Sequence, residues 1–269
     1  MEHTKVIEII TEATIAVPGI RALFLGGSYG NGRADEYSDI DFVLIADEGA
    51  TDAIAEVWQD AVERTGEIVL WWDRTTVPGL INAITDDWTR TDVIILKPEH
   101  MGAQTRGSLK PLFDHDGIYD RLAKTAKMTG PNLPKARHQF EEFIRILGLL
   151  HLAAGRAEYI NGVLGVFHLR NLLVDLLVDE TGAPDRGGVL HLNRLITDEQ
   201  KSLLMSLPPA VPGRERMISA HLAYAKAYLP RARKRAQQIG VEWPERFEAA
   251  TWAKLREALS IERPYNPNP

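Results

Sequence analysis

Residues 25–42 read LGGSYGNGRADEYSDIDF, a glycine-rich polar segment between two apolar runs. On a strand, side chains two residues apart point to the same face, so we expect Asp39 and Asp41 side by side and Ile40 and Phe42 in a core. Two carboxylates held this close repel each other. Hard divalent cations such as Mg²⁺ bind such oxygen ligands together with substrate phosphates. The stretch therefore predicts a site for metal-assisted phosphoryl or nucleotidyl transfer.

The polar segment itself is a candidate phosphate-binding turn. Its glycines, at positions 26, 27, 30 and 32, allow positive φ angles and a close approach of the backbone to a ligand. A helix that begins just after Ser28 would present free N–H groups to an anion. No Gly-Lys-Ser/Thr follows, and the glycine spacing is not that of a dinucleotide-binding turn. The chain therefore lacks both of these common phosphate motifs here.

Taken together, these residues resemble the signature of the polymerase-beta-type nucleotidyltransferases, in which ten residues separate Gly-Ser from Asp-x-Asp. The positions that fit this pattern are Gly27, Ser28, Gly32, Ser38, Asp39 and Asp41. The resemblance implies that the Gly-Ser turn, with Gly26, grips the triphosphate of ATP or another nucleoside triphosphate, and that the two aspartates carry Mg²⁺. Many members have a basic residue at the position of Asn31. Here the nearest base is Arg33, which with Ser38 completes the predicted nucleotide contacts.

A third carboxylate on a neighbouring strand is normal in this family. Asp92 lies at the start of an apolar run, TDVIIL, and resembles the third acid of the antibiotic nucleotidyltransferases. The resemblance implies that Asp92 is a metal ligand or the general base. Asp86 and Asp87, in the loop just upstream, are rival candidates.

The helical half contains a second resemblance. The segment Gly155–Tyr159, GRAEY, is similar to the Arg-Gly-Glu-Tyr element of lincosamide nucleotidyltransferases. Aminoglycoside nucleotidyltransferases also place a glutamate of their helical domain near the substrate. This implies that Glu158 takes the proton from an acceptor hydroxyl. A helix dipole favours an acid in the first turn in any case, so a helix-capping role for Glu158, with Arg156 as its ion-pair partner, stays open.

The composition narrows the class of protein. The chain has 269 residues, no cysteine and a formal net charge of −6. Thiol chemistry and disulfides are excluded, and the acidic balance argues against a broad nucleic-acid-binding surface. The N-terminus does not resemble a signal peptide, and no apolar run approaches the ~20 residues of a membrane span. We therefore expect a cytoplasmic protein with no membrane partner.

The order of the elements predicts an α+β fold. Strands are expected at 21–25, 39–46, 67–72, 91–96 and 110–114, whereas the chain after residue 134 reads as helices. This predicts a nucleotidyltransferase-type mixed sheet with helices over 1–128, followed by a helical-bundle, substrate-binding domain over 129–269.

Several other residues have structural interpretations. His151 and His168 are expected in the helical core, and 231–235 (RARKR) at a solvated helix end. The tryptophans at 71, 72 and 88 are expected in the core or a partly buried cleft wall, with stacking on a base as the alternative. The tail 264–269 is expected to be frayed.

The expected function is Mg²⁺-dependent transfer of a nucleoside monophosphate, AMP from ATP, to a hydroxyl of a small molecule. A lincosamide or aminoglycoside antibiotic is the acceptor that the resemblance implies, and hence a role in antibiotic resistance. Partners are then the nucleoside triphosphate and the acceptor, without nucleic acid, and a homodimer is compatible with this reading. A nucleic-acid-tailing nucleotidyltransferase and a non-catalytic nucleotide-binding module on the same scaffold are the alternatives.

Overall fold

A computed structural model of the chain describes residues 1–47, 51–74, 77–125, 130–182 and 191–266. The chain divides into two compact units, Met1–Lys127 and Met128–Pro269. The first contains a mixed sheet with helices and the second is helical, so the predicted α+β fold class is confirmed. The catalytic and substrate-binding roles of the two parts stay predictions.

The first unit is built on a six-stranded sheet with the strand order β3-β4-β5-β2-β1-β6. The strands are β1 (Ile20–Leu25), β2 (Ile40–Ala46), β3 (Ile68–Arg74), β4 (Leu80–Thr85), β5 (Arg90–Leu96) and β6 (Lys110–Asp114). Among the strand pairs of the described residues, β2–β5 is parallel and the other four are antiparallel. The helices of the first unit are α1 (His3–Thr14), α2 (Gly27–Gly30), α3 (Thr51–Glu63) and α4 (Ile118–Arg121), with a 3₁₀ helix at Pro98–Ala103.

The two central strands are buried on both faces. Phe42 and its same-face neighbours pack against α1 and α3, where the rings of Phe42 and Trp58 lie 5.0 Å apart. Phe24 and Val43 face the opposite side and pack with Met101 of the 3₁₀ helix. This explains the nearly continuous apolar character of β1 and β2. The carboxylate of Asp41 projects on the same side as Val43, at the end of the sheet where β2 begins.

Strand β4 was not predicted from the sequence. It joins β3 and β5 as the middle strand of an antiparallel meander. Its sequence, LINAIT, buries only alternate residues, among them Ile81 and Ala83, and the central Asn82 interrupts the apolar run. Pairing with strands on both sides therefore determines this strand, rather than a strong local pattern.

The second unit is a helical bundle. Its helices are α5 (Leu133–Gly148), α6 (Leu150–Gly155), α7 (Tyr159–Thr181), α8 (Leu192–Leu195), α9 (Asp198–Ser206), α10 (Arg214–Ile239) and α11 (Glu245–Leu259). Helices α7 and α10 pack closely: a Cβ on Gly162 of α7 would lie 2.0 Å from Met217 Sδ of α10. Among the described residues, α7 alone is long and apolar enough to cross a membrane, contrary to the expectation of no such run. That is weak evidence, since α7 also supplies Leu169 and Leu173 to the buried core.

The basic run 231–235 does not lie at a solvated helix end. α10 continues through Pro230 to Ile239, so the run lies inside the helix. Its arginines form ion pairs with carboxylates of other elements: Arg231 with Glu180, Arg233 with Glu245 and Glu248, and Arg235 with Asp179. The expectation of a solvated run was therefore wrong, because these partners come from sequence-distant elements that a local pattern does not show.

The C-terminal segment is fastened to the bundle by a buried carboxylate. Glu248 accepts hydrogen bonds from Trp243 Nε1 at 2.7 Å, Arg233 Nη2 at 2.6 Å and the hydroxyl of Tyr265. Burial by itself would raise the pKa of Glu248, but these donors outweigh it and hold the pKa below the ordinary value of 4.5. Tyr265 is thus held in place, contrary to the expectation of a frayed tail, whereas 267–269 lie outside the described residues.

We predict that Glu248→Gln lowers the free energy of unfolding by about 3 kcal/mol near pH 7, because Arg233 stays buried without its anionic partner. Since the pKa of Glu248 is lower in the folded state, its stabilising contribution is present above pH 4.5 and is lost as the pH falls through the folded pKa. Urea denaturation from neutral to acid pH measures both effects. Glu257→Gln, an exposed acid of the same helix, is the control and should change stability by less than about 1 kcal/mol. Equal effects of the two substitutions would contradict the network.

Candidate active site

Three carboxylates meet where β2 and β5 begin. In the parallel pairing, Asp41 lies opposite Asp92, so the two side chains are neighbours on one face of the sheet. Asp39, two residues before Asp41, projects to the same side. Each residue offers one oxygen, and these oxygens all lie within 4.8 Å of one another. All three residues are half-buried. Such a set of oxygen donors fits a divalent cation.

The cluster has an electrostatic cost that the fold does not fully offset. Burial, and then the charges of Asp39 and Asp92, raise the pKa of Asp41 from 3.8 to about 6. Arg90 opposes this shift, and its Nη1 lies 3.5 Å from Asp39 Oδ2. Because Arg90 does not cancel the upward shift of the Asp41 pKa, a bound metal ion would relieve the remaining repulsion.

The glycine turn lies directly against this cluster. The N–H of Gly26 donates to the Asp41 carbonyl at 2.8 Å, which extends the β1–β2 ladder. Gly27 follows with φ +48°, and a Cβ there would lie 1.8 Å from Asp41 Oδ2. Glycine is required at this position because any side chain would displace the carboxylate. The turn predicted to bind phosphate and the predicted metal ligands are therefore brought together.

Ser28, the next residue, has a buried hydroxyl. Its Oγ has no hydrogen-bond partner among the residues that the structure describes. Buried hydroxyls in proteins nearly always have a partner, so this one calls for an explanation. A phosphate oxygen of a bound nucleotide would supply it.

Ser38 and Arg33 form hydrogen bonds with nearby residues of the turn. The hydroxyl of Ser38 accepts from the N–H of Asp35 and donates to its Oδ1, both at 3.0 Å, so it braces the turn that leads into Asp39. Arg33 is exposed, and its N–H donates to the carbonyl of Ser28. Their contacts with a nucleotide stay predictions.

Arg90 is the site residue that sequence reasoning missed. It begins β5 and lies two residues before Asp92, which places both on one face. That spacing was visible in the sequence and could have identified Arg90. The rival acids Asp86 and Asp87 are not in the cluster: Asp87 accepts hydrogen bonds within the β4–β5 turn, and Asp86 lies beside it.

Glu158 lies in the second unit, at the residue before α7. Its side chain is exposed and makes no capping hydrogen bond, and in the described part of the chain it forms no ion pair with Arg156. The preceding residue, Ala157, has φ +54°, a backbone conformation that favours glycine. The Arg-Gly-Glu-Tyr element that this segment resembles has glycine at the corresponding position. The capping role therefore has no support from these contacts.

Arg156 and Glu158 line a cleft of about 330 Å³ within the second unit. His168 also lines it and is exposed, so its expected core position was wrong, whereas His151 is half-buried with Nδ1 2.6 Å from the Gly148 carbonyl.

The three tryptophans differ in exposure. Trp72 and Trp88 are 51% and 73% exposed, so neither lies in a core, whereas Trp71 packs partly against the core of the first unit. A place in a cleft wall, or stacking on a base, stays a prediction for these residues.

Residues 6–74 match a family model described as a nucleotidyltransferase domain. This chain carries a nucleotidyltransferase domain. The matched range includes the glycine turn, Asp39 and Asp41, whereas Asp92 lies beyond it. The sequence-based prediction of a nucleotidyltransferase is confirmed by this match.

Several solved structures are similar. An aminoglycoside 6-adenyltransferase from Bacillus subtilis is 13% identical, with 92% of this chain and 95% of that chain covered and a TM-score of 0.42. A spectinomycin adenyltransferase from Enterococcus faecialis, solved with ATP and spectinomycin, is 9% identical (86% and 99% covered, TM-score 0.37). A CCA-adding enzyme is 12% identical (97% and 67% covered, TM-score 0.36). No curated protein sequence matches the chain. Likenesses this distant carry no functional argument.

The raised pKa of Asp41 makes a prediction about stability. Ionised Asp41 is unfavourable in the folded state, and this penalty disappears as the pH falls from about 6 towards the ordinary value of 3.8. In EDTA at about pH 8, Asp41→Asn should therefore raise Tm by about 2–4 °C, the shift that ~1 kcal/mol gives in a domain of this size after allowance for solvent screening. Calorimetry should show the difference closing towards pH 4. The exposed Asp60→Asn is the control, and an Asp41→Asn Tm at or below wild type at pH 8 would contradict the repulsion.

The close approach of Gly27 makes a second prediction. Gly27→Ala should lower Mn²⁺ affinity by about 10–100-fold, as when a group that positions a ligand is lost, because the methyl group must displace the Asp41 carboxylate. Gly32→Ala is the matched control: its φ is +72°, so it carries similar backbone strain, but no atom lies within 4 Å of its Cβ. Free Mn²⁺ followed by electron paramagnetic resonance gives both affinities. If the two variants bind Mn²⁺ equally well, the contact between the turn and Asp41 is not important for the metal.

Proposed function

We propose that this protein is a Mg²⁺-dependent nucleotidyltransferase that transfers a nucleoside monophosphate, AMP from ATP, to a hydroxyl group of a small molecule. The observation that carries this proposal is the contact between the glycine turn and the three-carboxylate cluster. A nucleoside triphosphate with its metal ions needs a phosphate-binding turn in contact with a divalent-cation site.

The nucleotide is held by the first unit in this proposal. The backbone at Gly26 and Gly27 and the unpartnered hydroxyl of Ser28 bind its phosphate oxygens. Arg90 and Arg33 add positive charge, in place of the basic residue absent at Asn31. Asp39, Asp41 and Asp92 hold Mg²⁺, which supplies neutralisation of phosphate charge at the reacting centre.

The reaction forms one P–O bond and breaks another. The acceptor oxygen attacks the α-phosphorus, the bond from the α-phosphorus to the bridging oxygen breaks, and pyrophosphate leaves with that oxygen. Glu158 accepts the proton of the acceptor hydroxyl, for which its exposed carboxylate, free of a capping hydrogen bond, is suited. Because Asp92 lies beside Asp41, we assign Asp92 the role of a metal ligand and Glu158 the role of the general base. Positioning and charge neutralisation supply most of the rate enhancement.

A small-molecule acceptor is favoured over a nucleic acid by the charges of the described residues. The net charge of the chain is −6, and the three arginines of its most basic run, 231–235, form ion pairs with acids of other elements. A non-catalytic module is disfavoured because it would not need three carboxylates at the cost of their repulsion. We propose that the enzyme acts in the cytoplasm, and that its acceptor is an antibiotic or a molecule of similar size.

The direct test is a screen of hydroxyl-bearing small molecules with ATP labelled at the α-phosphate and Mg²⁺, read by mass spectrometry for an added nucleotidyl group. We expect at least one acceptor to gain the label and pyrophosphate to be released in equal amount. Asp39→Asn should lose the reaction. Transfer that proceeds equally in this variant, or in EDTA, would contradict the proposed site.

The role of Glu158 has its own test. Glu158→Gln keeps the shape of the side chain but does not accept a proton well, so the single-turnover rate at saturating Mg²⁺ and ATP should fall by about 10²–10⁴-fold. Nucleotide affinity and Tm should stay nearly unchanged. Glu199→Gln is the matched control, an exposed acid in the first turn of another helix, α9. A wild-type rate and pH profile in Glu158→Gln would assign the proton to Asp92 or to another group.

A further inference from the structure

The cleft of the second unit has apolar walls and a polar floor. Its walls include Leu149, Leu152 and Leu164, which are 40%, 38% and 56% exposed. The floor lies where α7 packs on α10, and His221 of α10 is the most deeply buried polar side chain there, at 2% exposed. Gly165 faces it from α7, since a Cβ on that glycine would lie 3.2 Å from His221 Nε2.

The hydrogen bonds of His221 determine which ring nitrogen carries the proton. Nδ1 lies 2.8 Å from the carbonyl of Met217, and a carbonyl only accepts, so Nδ1 carries the hydrogen. Burial lowers the pKa of His221 and keeps the ring neutral near pH 7. Nε2 is therefore a hydrogen-bond acceptor, and no donor reaches it within the part of the chain that the structure describes.

The charges of the cleft limit what it can bind. Arg156 and Glu158 have opposite charges, and the other polar lining residues, Asn161 and His168, add no second carboxylate. A polycation with little apolar surface would leave its charges uncompensated there and would not cover the exposed leucines. A neutral or singly charged molecule with an apolar body fits both features.

We propose that this cleft binds the acceptor, and that the acceptor is a compact, largely apolar molecule with a hydroxyl group, other than the one that gives its proton to Glu158, that donates a hydrogen bond to His221 Nε2. This inference rests on the proposed function for the identity of the ligand as acceptor, but its binding chemistry is independent of nucleotide and metal. His221 determines specificity in this proposal, because a molecule without a donor that fills the cleft would cover Nε2 and leave it unpaired.

Two probes of the same skeleton test this chemistry. Adamantan-2-ol has a hydroxyl donor, whereas adamantan-2-one offers only an acceptor. In a ligand-observed NMR titration of the whole protein without nucleotide or metal, the alcohol should bind about tenfold more tightly, the factor expected when a buried acceptor is left without a donor. Kanamycin, a polycation, should not displace the alcohol. Equal affinity for alcohol and ketone, or displacement by kanamycin at a similar concentration, would overturn the proposal.

Two variants locate the effect at His221. His221→Asn retains an amide near the position of Nδ1 but removes Nε2. The alcohol and the ketone should therefore bind this variant with about equal affinity. Gly165→Ala places a methyl group beside Nε2 and should weaken both probes at least tenfold, while alanine suits the helix interior and preserves the fold. Gly155→Ala, where no atom lies within 4 Å of the Cβ, is the control and should bind as wild type. A preference that persists in His221→Asn would exclude His221 as its source.

The probe experiment tests binding in the cleft separately from the proposed nucleotidyl transfer. Asp41→Asn should bind adamantan-2-ol as wild type does, because the cleft lies wholly in the second unit. An alcohol preference without any nucleotidyl transfer would retain the cleft but refute its acceptor role. Transfer to an acceptor with no alcohol preference in the probe pair would retain the function and refute this site.

Discussion

The parallel, in-register pairing of β2 with β5 is the constraint on which the site depends. It places Asp92 opposite Asp41 although fifty residues of chain lie between them. A slip of one residue would turn Asp92 to the opposite face and leave the other two carboxylates alone. The antiparallel β1–β2 pair then brings the end of β1, with Gly26 and Gly27, to the same edge of the sheet. The turn and the acids thus converge through strand pairing, and the ion pair between Arg90 and Asp39 adds a side-chain contact between the two parts of the chain.

This arrangement keeps an electrostatic cost, and the packing of the first unit holds the acids in place against it. Asp41 is held partly buried beside two other carboxylates, and the charge of Arg90 compensates for only part of the rise in its pKa. The strands that carry the acids are buried on both faces, and Phe42 and Val43 anchor β2 in two separate apolar clusters. A rigid, doubly covered sheet can hold charges together that would separate on a flexible loop. Strongly shifted pKa values of this kind are typical of functional sites.

The glycine turn, the Asp-x-Asp pair and the apolar strands around them could be predicted from local spacing. Asp92 depends on long-range pairing, and it was predicted through the family resemblance rather than from its local pattern. Strand β4 was missed because its alternate burial and central Asn82 give only a weak pattern, and its existence depends on two neighbours. The ion pairs of Arg231, Arg233 and Arg235 were missed because their partners lie on other helices. His221 could not be recognised either, since only packing of α10 against α7 makes its Nε2 a buried acceptor.

We propose that the carboxylate cluster and the glycine turn bind one ligand, a nucleoside triphosphate with its metal ion. Calorimetric titration with the α,β-methylene analogue of ATP, which cannot transfer its nucleotidyl group, tests this in Mg²⁺ and in EDTA. We predict that Mg²⁺ tightens binding to the wild type at least about tenfold, equivalent to 1.4 kcal/mol, and that Asp41→Asn loses this dependence. Equal affinity of the wild type in Mg²⁺ and in EDTA, or an unchanged Mg²⁺ effect in Asp41→Asn, would contradict the account.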